Sequence, residues 1–287
     1  MIVQDTGYLP NPPSGCSDIP AFGCPTQDLY PFYEQARLQG AHIHSNSYGD
    51  GGVVPINLYT AEGSSAADAA MWDYPDYLMV FSAGNGGPAI GTVTNPGTAK
   101  NSISVGATTY GASADNLASF SGRGPTLDGR LKPDLAAPGL GIVSSSSDGS
   151  VQTNNCSTLV ASGTSMACPT VAGLAALVRE YFVKGFYPSG GARAQDGLNP
   201  SGALLKATLI ASAAPMANVT GFVPSNLQGW GRPVADDALY FAGDSSRLRI
   251  EDVASRFVTA GDQDTHTFRI LDDSEPLRVV AGGPPPS

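Results

Sequence analysis

This chain is short of charge, of histidine and of long apolar runs. Only 14% of its 287 residues are charged, and 25 acids against 15 bases leave a net charge of −10. A surface of that sign repels phosphate backbones and anionic lipid, so neither nucleic acid nor a membrane is expected as a partner. No stretch reads as the ~18 continuous apolar residues of a bilayer span. Met1 is not followed by the basic-then-apolar pattern of a secretory leader. Cysteine is sparse: Cys16 and Cys24 flank one Pro/Gly-rich loop, and Cys156 and Cys168 bracket another segment. Neither pair has the short spacing of a zinc site. Two local disulfides, Cys16–Cys24 and Cys156–Cys168, are the simplest expectation and imply an extracellular or secretory-pathway protein. Buried free thiols are the alternative. Asn155-Cys156-Ser157 and Asn218-Val219-Thr220 match glycosylation acceptors.

Glycine and proline are plentiful, at 35 and 23 residues, and are spread along the chain. They indicate many ordered loops in one large domain, or in one domain plus a fragment. The first 27 residues read as irregular. A helix is expected over 29–39, a strand over 41–48, an Ala-rich helix over 65–74 with Ser64 or Ser65 as its cap, and a buried strand over 77–82. Strand, helix, strand in this order predicts a parallel α/β sheet flanked by helices. Residues 165–183 read as a buried helix and 201–213 as another. Past Gly243 come short strand-like apolar runs through about residue 281.

Two segments carry chemistry. Gly163-Thr164-Ser165-Met166-Ala167-Cys168-Pro169 sets a serine among small residues at the start of the 165–183 helix, with Pro169 expected in its first turn. Unpaired N–H groups at a helix start favour the negative charge that forms when a hydroxyl attacks a carbonyl. The strand 77–81 runs into Ser82-Ala83-Gly84-Asn85-Gly86-Gly87-Pro88. There the Asn85 amide can donate to an oxyanion.

Both segments closely resemble motifs of the subtilisin-like serine proteases (subtilases), the first their active-serine motif and the second their oxyanion motif. Ser119-Phe120-Ser121-Gly122-Arg123-Gly124-Pro125, Lys132-Pro133-Asp134-Leu135-Ala136-Ala137-Pro138-Gly139 and Gln228-Gly229-Trp230-Gly231-Arg232 also look like subtilase core segments. The resemblance spans about residues 28–243. It implies a serine endopeptidase acting on polypeptides, with Ser165 as nucleophile and Asn85 as oxyanion donor. Ser45, Ser47, Tyr48 and Gly49 on one side, and Ala83 and Gly84 on the other, would line the substrate cleft. The small residues after Tyr48 favour large or apolar substrate side chains. The resemblance is nearest to subtilases with a C-terminal β-sandwich. Residues 1–243 would then be the C-terminal portion of a catalytic domain, and 244–287 the opening of a truncated sandwich. Calcium binding is compatible with the family, but no ligands are assigned.

The general base is not evident. Subtilases order their triad Asp, His, Ser, with the histidine in a His-Gly-Thr type motif. None of His42, His44 and His266 precedes a glycine. Asp5-Thr6-Gly7 mimics the aspartate motif, but His42 and His44 sit inside an alternating strand that resembles the substrate-lining strand. Two histidines spaced i, i+2 share a sheet face, yet no third ligand is evident, so no metal site is expected. The chain therefore reads as a subtilase whose Asp and His parts lie outside it, inactive by itself. Two other readings remain. One is an α/β-hydrolase esterase using Ser165, Asp236 or Asp237, and His266. The other is a non-catalytic peptide-binding module.

Overall fold

The computed structural model describes residues 28–49, 55–150, 152–253, 262–270 and 277–283. Four parallel strands form the central sheet in the order β1 (Ile43–Asn46), β2 (Leu78–Ser82), β3 (Ile103–Thr108) and β4 (Leu135–Pro138). Every residue of β2 and β3 is buried. A parallel strand covered on both faces tolerates no alternation, which is why these two read as continuous runs of apolar and small residues.

Helix α1 (Tyr30–Leu38) precedes β1, and α2 (Ala66–Asp73) leads into β2. The cap expected at Ser64 or Ser65 is not used. A π-helical turn over Ala61–Ser65 comes first, and the Thr60 side chain accepts from Gly63 N–H instead. Helix α3 (Thr164–Val183) lies across all four strands. Its length and mean hydropathy of 1.3 would suffice for a membrane crossing, but here it is the core helix of an α/β layer. Helix α4 (Gly202–Ala211) is capped by the Ser201 hydroxyl, which accepts from Leu204 N–H at 2.9 Å.

Strand β1 separates two sets of side chains by its period of two. Ser45 faces α3, where its Oγ lies 3.6 Å from Cys168 Sγ. His44 faces α1, ringed by Phe32, Tyr33 and Tyr77 in edge-on contacts of 5.6–6.0 Å. Burial holds the His44 pKa down at about 4. His42 pairs with Asp76 at 3.3 Å, and Asp76 also takes Arg37 at 2.8 Å. Both histidines are thus structural members of the α1 side.

A buried ion cluster ties α4 to the sheet. Asp134 accepts from Ser104 N–H at 2.7 Å and pairs with Lys132 at 2.6 Å and Lys206 at 3.3 Å. The two ammonium groups also donate to Ser102 O, at 3.2 and 2.9 Å, so these buried charges are paired and hydrogen-bonded. Burial lowers the Lys132 pKa to about 8, against the pull of Asp134.

One sequence expectation fails in the structure. Cys156 and Cys168 are not bonded to each other. Cys156 lies on an exposed loop, whereas Cys168 points from α3 into the sheet, with Sγ 3.3 Å from Val80 O and 3.4 Å from Asn46 O. A helix residue buried against strands cannot reach a surface loop without unpacking. Cys16 and Cys24 lie outside the described residues. The sandwich opening expected over 244–287 shows no strand among the described residues there, and Phe257, Val258 and Leu271 of its apolar runs lie outside them. That segment runs along α4, held by Ser201 donating to Asp252 at 2.6 Å and by Arg278 donating to Ala211 O at 2.8 Å. Leu248 and Ile250 pack against the main core. Val253, Phe268, Ile270, Leu277 and Val279 stay largely exposed.

Two measurements check this packing. Alkylation of the native protein followed by peptide mapping should label Cys156 quickly and Cys168 only after unfolding; a Cys156–Cys168 cross-linked peptide would contradict the structure. The second concerns pH. As pH falls below 6.5, the unfolded chain protonates His44 while the folded one refuses the proton until about pH 4. The stability that neutral His44 contributes is complete above pH 6.5 and is lost progressively between 6.5 and 4, by about 3 kcal/mol. Urea titrations across that range should show a shallower pH dependence for His44→Phe than for the parent.

Candidate active site

The site forms where β1, β2 and α3 meet, at the C-terminal ends of the strands. Gly163 is the N-cap of α3, and Thr164 and Ser165 are its first two residues. Ser165 N–H has no intrahelical acceptor at that position. The helix has no acidic residue in its first turn, so its positive end is left for a ligand's negative charge.

Asn85 is held in one orientation. Its Oδ1 accepts from Thr164 N–H at 2.9 Å and from Thr164 Oγ1 at 3.0 Å. Two donors on one oxygen identify that atom as the carbonyl oxygen and leave the NH₂ side as donor. The same Thr164 hydroxyl accepts from Gly84 N–H at 3.1 Å. A Cβ placed on Gly163 would lie 3.5 Å from Asn85 Nδ2 and 3.6 Å from Ser165 N. Both donors therefore border one small space beside the serine, the arrangement an oxyanion requires.

Proline shapes the other side. Pro169 is the sixth residue of α3, beyond the first turn where it was expected. It has no N–H to give the carbonyl four residues back, which is Ser165 O. That carbonyl accepts from the Ser47 hydroxyl at 2.9 Å instead. In return, Ser165 Oγ donates to Ser47 O at 3.4 Å. The segment after β1 is thereby stapled to Ser165.

The expected cleft residues sort by position. Ser45, Ser47 and Gly49 are exposed beside α3, and Gly84 and Asn85 face them. Ala83 is fully buried and supports its wall from behind, donating to Val105 O at 2.9 Å. Tyr48 turns away: its hydroxyl lies 3.1 Å from that of Tyr33 and its ring meets Phe81 edge-on. Only the backbone of Tyr48 can serve the cleft. Thr164 is the residue the sequence reading passed over. It lies inside the Gly-Thr-Ser string, but its role depends on a strand end some eighty residues earlier.

No described histidine adjoins Ser165. His42 and His44 lie on the α1 side of the sheet. His266 is held by Glu251 at 3.3 Å and Asp264 at 3.2 Å, in the segment whose Asp252 binds Ser201. Gly202, next to Ser201, donates to Pro75 O ahead of β2, at the end of the sheet opposite Ser165. The esterase triad expected from Ser165, Asp236 or Asp237, and His266 is therefore not assembled. The exposed Glu251–Asp264–His266 group has ligand atoms within 4.8 Å of one another. It does not fit calcium, which takes oxygen ligands, because the imidazole stands between the two carboxylates.

Replacing Thr164 by valine should orphan Gly84 N–H and leave Asn85 Oδ1 with the Thr164 N–H as its one remaining donor of the two, destabilising the fold by about 1–3 kcal/mol. Thr164→Ser keeps the hydroxyl and should lose much less. Thermal unfolding of the two variants separates the outcomes, and equal losses would count against the hydroxyl's role.

Residues 23–231 match the sequence model of the subtilase family. The serine protease/ABC transporter B family protein tagD of Dictyostelium discoideum is 26% identical over 315 residues, covering 75% of this chain and 17% of that protein. Serine protease AprX of Bacillus subtilis is 44% identical over 112 residues, covering 35% of this chain and 25% of its own length. The chain thus spans a quarter or less of these relatives' length. Among solved structures, the self-cleaved protease domain of PatA is similar with a TM-score of 0.54 at 24% identity, over 73% of this chain and 64% of that one. Sphericase gives 0.52 at 24% identity, over 74% and 64%. These structures share the fold, and the family segment covers most of this chain together with its serine and asparagine motifs: the chain belongs to the subtilase family.

Proposed function

We propose that this chain supplies the nucleophile, the oxyanion donors and the substrate-binding strand of a serine endopeptidase acting on polypeptides. The observation that carries this reading is the convergence of Asn85 Nδ2 and Ser165 N on one space beside Gly163, at the start of the helix that carries Ser165. In the reaction, Ser165 Oγ bonds to the scissile carbonyl carbon and the carbonyl oxygen becomes an anion between those donors. A base takes the Oγ proton and returns it to the leaving amine as the C–N bond breaks. Water then hydrolyses the acyl-serine by the same route. The base is a histidine in this family, and it is not among the described residues beside Ser165.

The catalytic body is taken as the chain to residue 243, with 244–287 as an appended segment. An extracellular or secretory-pathway setting is supported by acceptor sequences at two exposed asparagines, Asn155 and Asn218. The second reading, a peptide-binding module without catalysis, is favoured by the Ser165 hydroxyl resting on a main-chain carbonyl.

The test is hydrolysis of a chromogenic peptide. The 287-residue chain and its Ser165→Ala form should share the same background rate. In a longer polypeptide that also carries the family's Asp and His motifs, Ser165→Ala should abolish hydrolysis. Asn85→Ala should cut turnover by about 10²–10³, the size known for the matching donor in subtilisin, with little change in KM. Hydrolysis by the longer polypeptide that survives Ser165→Ala would overturn the proposal. Binding without any Ser165-dependent hydrolysis there would favour the module.

A further inference from the structure

Asn85 is followed by Gly86, and this is the one Asn-Gly step in the 287 residues. Such a step holds the most labile amide a polypeptide offers, because glycine has no side chain to shield its nitrogen from the carboxamide before it. Both residues are exposed to water. Gly86 N–H has no hydrogen-bond acceptor among the described residues, so that nitrogen is not engaged elsewhere. Its surroundings are held. Gly84 N–H donates to Thr164 Oγ1 at 3.1 Å, Gly84 O accepts from Gly122 N–H at 2.7 Å, and Gly87 N–H donates to Phe120 O at 2.9 Å. The Asn85 side chain is tied across to α3 by the two Thr164 donors on Oδ1, at 2.9 and 3.0 Å.

We infer that Asn85 is a site of spontaneous deamidation, and that its hydrogen bonds to Thr164 set the rate at which the protein loses this amide. In the reaction a hydroxide ion takes the Gly86 N–H proton, and the nitrogen bonds to Asn85 Cγ. The Cγ–Nδ2 bond breaks, and Nδ2 leaves as ammonia with a proton from water. Hydrolysis of the resulting five-membered imide leaves aspartate or isoaspartate. Overall one water enters, one ammonia leaves and nothing is oxidised or reduced. The ring includes Cα, Cβ and Cγ and is nearly planar. It therefore eclipses the side chain about Cα–Cβ, between the staggered wells in which side chains rest. Turning Cγ into that position swings Oδ1 away from Thr164 and breaks both hydrogen bonds. The anchors at Gly84 and Gly87 oppose the matching turn of the main chain. An amide that local sequence makes labile is thus preserved by tertiary contact. Its loss is not reversed: a carboxylate presents oxygen where the NH₂ stood, and in the proposed endopeptidase site it repels the anion that the amide binds. Deamidation itself needs neither substrate nor catalysis, so it stands apart from that reading.

Peptide mapping by mass spectrometry reads the conversion directly, from the mass gained at Asn85 and the separate elution of the isoaspartyl peptide. The 287-residue chain is held at mildly alkaline pH, native and in guanidinium chloride. The unfolded chain should convert at Asn85 ahead of every other asparagine, and at least ~10-fold faster than the native chain, whose two hydrogen bonds must first break. Native Thr164→Val, which lacks one of the two donors, should convert about 5-fold faster than the native parent. Thr164→Ser should keep the parent's rate. Ser201→Ala removes the α4 cap at the other end of the sheet and controls for general loosening; it should leave the rate at Asn85 unchanged. Equal rates in the native and unfolded chains, or equal acceleration by Ser201→Ala and Thr164→Val, would overturn the role of Thr164. Survival of Asn85 in the unfolded chain while other asparagines convert would overturn the site. None of these measurements involves peptide hydrolysis, so the proposed endopeptidase and this inference fail separately.

Discussion

One oxygen atom organises the site. Asn85 Oδ1 accepts both the main-chain N–H and the hydroxyl of Thr164, and so the end of β2 is joined to the start of α3 by a side chain that has no freedom left to rotate. A carboxamide that could turn would present its oxygen to an incoming anion as readily as its NH₂. Two donors on Oδ1 remove that choice before any substrate arrives, so no reorganisation remains to be done when charge develops. The thermodynamic stake is comparable to the functional one, since the same threonine satisfies Gly84 N–H in the wall of the cleft.

The helix start is built from deficits. Gly163 puts no side chain in the space the two donors share, and Pro169 withholds the hydrogen bond that Ser165 O would otherwise receive. That carbonyl is then available to Ser47, and a defect in the helix ladder becomes the link between Ser165 and the segment after β1. Beneath it, Cys168 buries its thiol against the carbonyls of Asn46 and Val80. Burial pushes the thiol pKa up, so this cysteine is a packing element of the sheet–helix interface. The charged groups that hold the sheet are the Lys132–Asp134–Lys206 cluster and the Arg37–Asp76–His42 group ahead of β1 and β2.

Alternation along β1 decides which residues belong to the site. Successive side chains point to opposite faces, so Ser45 meets α3 while His44 enters the aromatic cage under α1. A histidine one position away from a cleft residue is for that reason as remote from it as the thickness of the sheet. The same rule sends the Tyr48 ring toward Phe81 and leaves only its backbone to the cleft. Proximity in the chain predicted neither outcome, whereas the strand period did for the histidines.

Much of this was legible in the residues themselves. The buried runs at 78–82 and 103–108, the serine at a helix start and the asparagine at a strand end follow from local pattern, because periodicity, small residues and breakers act over a few positions. The fate of Cys156 and Cys168 was not, since a disulfide depends on where two loops are carried by other elements. The packing of Leu248 and Ile250 against the main core was not legible for the same reason. Thr164 carries no signal of its own: it acts on Asn85 only after the chain has folded back. Sequence determined the elements and the chemistry available to them. Tertiary structure decided which oxygen faces which donor and where each thiol lies, because those depend on ångström-scale approaches between segments that local energetics do not encode.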